Sequence, residues 1–112
     1  LYIAMKNVIE NGCKYSFDHL SKVKLSFHAT TVHVQVHNEG EIIDKEEQEN
    51  IFQPFYRARS STQAQGFGLG LALARRIVSL HKGSITVQSS VATGTTFLIV
   101  LPTIQKSQPN MV

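Results

Sequence analysis

Apolar residues recur at helical spacing through the first fourteen positions. Leu1, Met5, Val8, Ile9 and Gly12 share one side of a helical wheel, which predicts a helix from Leu1 to about Lys14. The period then changes to two. Lys22 to His28 and Thr31 to His37 read as strands around a short turn at Ala29–Thr30. In the second, Val32, Val34 and Val36 alternate with Thr31, His33, Gln35 and His37, so one face is buried and one is wet. Asn38-Glu39-Gly40 breaks that strand. Asp44 suits the N-cap of a short helix running through Glu47 towards Phe52, and Pro54 stops it. Arg57 to Gln65 has no period and predicts a mobile loop. A second helix is expected from about Leu71 to His81, with Leu73, Ile77 and Leu80 as its apolar stripe and Gly83 ending it. Ser84 to Ser90 and Thr95 to Leu101 read as two further strands, followed by a polar tail.

Strand pairs flanking helices predict the α/β class, here an α+β two-layer sandwich with helices on one sheet face. At 112 residues the chain holds one core. We expect a domain over 1–103 and a flexible tail over 104–112. Leu1 stands inside a helical pattern with no capping residue before it, the pattern of a domain truncated at its N-terminal strand. No apolar run reaches bilayer length. The single cysteine, Cys13, suits a reducing compartment.

Charge sharpens the picture. All eight carboxylates precede Ile51, and beyond it only Arg57, Arg59, Arg75, Arg76, Lys82 and Lys106 are charged. Such a half suits an anionic partner, whether phosphate chain, nucleic acid or acidic protein face, and each residue alone also suits solvated surface. On the first helix, Asn7, Asn11 and Lys14 stand at i, i+4 and i+7, opposite the apolar stripe. Two amide oxygens one turn apart can share a hard cation such as Mg²⁺, and Lys14 can reach the same phosphates. A plain solvated face is the alternative. Gly66, Gly68 and Gly70 alternate just before the second helix, where backbone N–H groups and the helix dipole favour phosphate. A dinucleotide site would need a buried strand directly before GxGxxG, and a polar loop stands there instead. A ligand-free hinge stays open.

Together these stretches resemble a known family. KNVIENGCKYS looks like the N box of histidine kinases, NEGEII their G1 box, IFQPFYR their F box and GFGLGLALARRIV their G2 box, with GTTFLIVLP similar to the closing strand. The resemblance implies the Bergerat ATP-binding fold, with a mixed sheet covered on one face by helices. It implies ATP and Mg²⁺ as cofactors. Asn11 would bind the metal with Asn7 beside it, Lys14 would contact phosphate, and Tyr15 would pack on adenine. Asn38 would meet the adenine amino group, with Gly40 giving the base room and Ile42 nearby. Phe52 and Phe55 would seat a lid over 57–65, Arg57 would reach the γ-phosphate, and Gly66, Gly68, Gly70 and Leu71 would wrap the phosphates. Thr95 would support the adenine end. The implied activity is transfer of the γ-phosphate to a histidine on a separate helical dimerisation and phosphoacceptor domain, and indirectly to a response regulator. Nucleic acid is not an implied partner, and the isolated domain would be a monomer. The implied location is cytoplasmic, and a parent anchored in the inner membrane stays open.

Asn7 separates subfamilies, because gyrase-type relatives carry a glutamate there as general base and an amide cannot accept a proton at neutral pH. Two other readings remain: a serine-directing kinase of the anti-sigma type, and a degenerate regulatory module. None of the five histidines lies in a phosphoacceptor motif. His33 and His37 stand roughly 13 Å apart at about 3.3 Å per residue, too far to share a metal. They read as solvent-facing. His81 fits a helix C-terminus, and Cys13 fits packing.

The G1 box departs from its usual DxGxG form at Asn38 and Ile42. An amide can accept from an adenine amino group, or flip and donate to a guanine carbonyl, which a carboxylate cannot do. Competition binding of ATP against GTP is therefore expected to show sharper adenine preference in Asn38→Asp than in the parent. Equal preference in both proteins would refute this role.

Overall fold

The computed structural model describes residues 1–55 and 70–103. Helix α1 spans Tyr2–Tyr15, strand β1 Lys22–Phe27 and strand β2 Thr31–Asn38. Two 3₁₀ turns follow at Lys45–Glu47 and Asn50–Phe52, then α2 at Gly70–Leu80, β3 at Ser84–Ser90 and β4 at Gly94–Pro102. The strands form one sheet in the order β1-β2-β4-β3. All three described pairings are antiparallel, not mixed. Strands β1 and β2 join through a tight connection at 28–30 and β3 and β4 through one at 91–93, and a tight connection can only reverse direction.

The helix-facing side of the sheet is built in rows. Val34, Ile99 and Ile85 form one, and Val36, Phe97 and Val87 the next. Against them pack Ala4 and Val8 of α1, and Ala74 and Val78 of α2. Phe97 is 1% exposed, and burial of such a side chain contributes about 1.5–3 kcal/mol. One row further, the same face turns polar, with Asn38, Thr95 and Ser89 side by side across three strands. Asn38 and Thr95 are buried. The core therefore ends in a row that needs hydrogen-bonding partners.

Three expectations change. The buried line of α2 is Leu71, Ala74 and Val78, whereas Leu73 and Leu80 are exposed, so the apolar stripe is rotated towards the small residue that lets the helix approach the sheet. The segment after Asp44 forms two separate 3₁₀ turns rather than a helix, and Asp44 makes no side-chain cap. On α1 the residues seated deepest are Ala4, Val8 and Gly12, while Leu1 remains exposed. The tail over 104–112 lies outside the described residues. No helix among the described residues is long and apolar enough to cross a membrane.

Strand β1 is an edge strand. Val23, Leu25 and Phe27 lie beside Val36, Val34 and Val32 on the helix-facing side, yet all three are exposed because neither helix reaches over them.

Gly83 closes α2 differently from expectation. The left-handed residue is Lys82, at φ 67°, and Gly83 N–H returns to the Val78 carbonyl while Lys82 N–H bonds Ser79. A Cβ at 83 would sit 2.4 Å from the Val100 carbonyl oxygen, so glycine is required by β4 and not by the turn. Gly83→Ala should lower stability by roughly 1–3 kcal/mol through this clash. Lys82→Gly should instead raise it by about 1 kcal/mol, because it relieves the left-handed side chain. Urea midpoints at unchanged m-value check both.

Candidate nucleotide site

The polar row lies beside the C-terminal end of α1, where glycines permit contact that side chains would block. A Cβ at Gly12 would meet the Ser21 hydroxyl at 2.3 Å. That hydroxyl donates to the Ile9 carbonyl at 3.2 Å and stitches the approach to β1 onto the helix. No local pattern calls for a glycine at 12, and this contact supplies the reason. A Cβ at Gly40 would stand 2.0 Å from the Tyr15 carbonyl oxygen. Gly40 also forms a bridge with Ser16, and Phe17 N–H reaches Glu39 at 2.8 Å. Gly40 thus lets the end of α1 cross the exit of β2, a tighter constraint than room for a base. Just beyond, the Ser16 hydroxyl bonds the Asp18 carboxyl, and this holds Asp18 below the usual carboxylate range.

Asn38 is 4% exposed and stands at the polar end of the helix-facing side, its side-chain nitrogen beside Gly40. Its neighbour Thr95 bonds Ser89 at 2.6 Å, and Ser89 accepts from Ile43 N–H at 2.9 Å. With Ile43 donating, the Ser89 hydroxyl hydrogen can go to Thr95, and the Thr95 hydroxyl can then donate onward. Ser89 was not picked out from the sequence. Its side chain lies in a polar strand that reads as surface, and only register places it beneath the loop at 43. Ile42 lies outside this network and is 38% exposed.

The second cluster joins the two helices. Asn7 Nδ2 donates to the Gly70 carbonyl at 3.2 Å, so the middle of α1 meets the first residue of α2. With its NH₂ engaged there, the Asn7 amide oxygen is left to accept elsewhere. Asn11 stands one turn on, half-buried on the same stripe, and Lys14 one further turn along. The first turn of α2 carries no acidic residue and presents its N–H groups at this junction. An extra Cβ at Gly70 would meet Asn7 only at 3.8 Å, so this glycine is not forced by that contact. Leu71 lies in the core, which leaves only its main chain for a ligand. Phe52 is buried edge-on to Phe97, with ring centroids 6.1 Å apart, and Phe55 is exposed at φ 69°. Arg57, Gly66, Gly68 and the expected lid over 57–65 lie outside the described residues.

The structure therefore joins Asn7 of α1 to the first residue of α2, and sets a buried polar row beside the C-terminal end of α1. Residues 1–105 match the family described as histidine kinase-, DNA gyrase B- and HSP90-like ATPases. The chain belongs to that ATPase family. Within it, this ATPase domain is 37% identical over 103 residues to the heme sensor protein HssS of Staphylococcus haemolyticus, covering 91% of this chain and 22% of that protein. It is 38% identical to the adaptive-response sensory kinase SasA of a Synechocystis strain, covering 86% of this chain and 26% of that one. The domain thus spans about a quarter of these relatives. Among solved structures, the mycobacterial sensor histidine kinase MprB superposes with a TM-score of 0.80 at 29% identity, over 89% of this chain and 70% of that one. The catalytic domain of histidine kinase ThkA gives 0.73 at 30%, over 88% and 63%. The ATPase domain has the fold of histidine kinase catalytic domains.

His37 differs from the solvent-facing reading. Its ring is held on both sides, by Thr96 at 2.7 Å and Glu39 at 2.7 Å, and it fixes the outer face of the strand that carries Asn38. His81 Nδ1 donates to the Ile77 carbonyl at 2.9 Å, consistent with a helix end, and Cys13 contacts Ser21.

Ser89→Ala leaves Ile43 N–H without its acceptor and Thr95 without its partner. Stability should fall by about 1–3 kcal/mol, and the Ile43 amide should lose protection from hydrogen exchange. Undiminished protection would show that the Ser89 bridge does not hold the loop.

Proposed function

We propose that this ATPase domain is the catalytic domain of a two-component sensor kinase and passes the γ-phosphoryl group of ATP to a histidine on a separate helical dimerisation domain. The supporting observation is the meeting of Asn7 with Gly70, which sets Asn7 against the N-terminus of a helix, with Asn11 one turn further on the same stripe. The donor set suits Mg²⁺: Asn11 and Asn7 offer neutral hard oxygens and leave the remaining positions to water and phosphate. When bound, the ion neutralises charge that develops on the transferring group.

The chain's own residues do the rest. Asn38 and Thr95 orient the base beside the C-terminal end of α1, and the first-turn amides of α2 hold phosphate oxygens. Lys14 supplies a further positive charge within reach of the same oxygens. Position 7 carries an amide in place of a general base, so water is not activated and an imidazole from outside is the fitting acceptor. Catalysis then consists of positioning and charge stabilisation. A response regulator would receive the group afterwards.

Incubation with γ-labelled ATP and the separately expressed helical domain tests the proposal. We expect label on histidine in that domain, with little hydrolysis when the ATPase domain is alone, and loss of transfer in Asn11→Ala. Label on serine would favour the anti-sigma type. No saturable binding of a non-hydrolysable ATP analogue at millimolar concentration would instead point to a regulatory module.

A further inference from the structure

Helix α2 packs against α1 on one flank and β3 on the other. On the β3 flank lies a groove of about 420 Å³, separate from the Asn7–Gly70 junction. Phe52 and Ile85 contribute its apolar part, Arg75, Arg76, Ser79 and Thr86 its polar part, and no carboxylate is among its described lining residues. Arg75 is pre-set: its guanidinium stacks 4.5 Å from the Phe52 ring centroid, and Phe52 is itself locked against Phe97. A carboxylate already lies on Arg75, that of Glu49 at 2.7 Å, and it occupies one part of a five-donor fork. Beside this cation pair runs the outer edge of β3, the last strand of the sheet, whose outward N–H and C=O groups have no neighbouring strand among the described residues.

We propose that this groove receives an acidic, extended segment of a partner protein. Its main chain pairs with β3 near Ser84–Thr86, and its carboxylates meet Arg76 and the open donors of Arg75. The combination selects peptide. Strand addition supplies sequence-tolerant hydrogen bonds, and arginine forks supply acidic selectivity. Nucleic acid would need a longer run of cations than two arginines, one of them already paired. The groove is also far roomier than a single phosphate requires. The inference accounts for Arg75 and Arg76, two cations from the carboxylate-free half of the chain that the nucleotide site does not use.

The test is fluorescence anisotropy of the full chain with a fluorescein-labelled octapeptide alternating glutamate and threonine, against its lysine–threonine counterpart. We expect saturable binding of the acidic peptide only, weakened as salt rises. Arg76→Glu should weaken it about tenfold or more, and Thr86→Pro, which disrupts the ladder edge, should do likewise. Lys24→Glu, on the opposite edge strand, should leave it unchanged, and Arg76→Glu should retain the parent's melting temperature and its affinity for a non-hydrolysable ATP analogue. Equal binding by Arg76→Glu and the parent, loss in Lys24→Glu, or equal binding of the lysine peptide would overturn the proposal.

Discussion

The architecture depends on how closely α1 can lie over the sheet. Two glycines set that distance: Gly12, where a Cβ would meet Ser21, and Gly40, where it would meet the Tyr15 carbonyl. Each is forced by another part of the chain, not by its own backbone angles. With α1 seated, Asn7 comes to the first residue of α2 and the end of the helix crosses beside Asn38. Moving the helix outward by the width of one methyl group would separate the amides from both neighbours. Packing and chemistry are thus set by the same contacts.

The sheet contributes a second form of organisation. Its helix-facing rows are apolar through the Val36–Phe97–Val87 row and polar at Asn38–Thr95–Ser89. An apolar row is satisfied by covering, whereas a buried polar row is satisfied only by hydrogen bonds. Thr95 and Ser89 satisfy each other and anchor the loop at Ile43. Asn38 stands buried beside them at the end of the same row. Outside the sheet, His37 braces the same strand between Thr96 and Glu39, so the residue that carries the amide is held from the opposite side.

Much of this was readable from residue spacing. The period of two placed β2 nearly to the residue, because alternating burial leaves a direct trace in sequence. The i, i+4 relation of Asn7 and Asn11 put both amides on one stripe, as helical geometry requires. What sequence missed depends on contacts between distant segments. The rotation of α2 that buries Ala74 rather than Leu73 follows from interhelical closeness, which hydrophobicity alone does not encode. The need for glycine at 83 comes from a carbonyl of β4, seventeen positions away in the chain. Ser89 carried no local signal, since its partners are brought to it by strand register.

The uncovered strip of Val23, Leu25 and Phe27 has a thermodynamic consequence. Each side chain keeps a large part of the burial energy that its inward-facing neighbours have already realised. Any protein segment seated on that strip would therefore raise the melting temperature of the whole molecule while leaving the Asn7–Gly70 junction untouched. Heat stability measured on this chain alone is a floor for the same fold in a larger assembly.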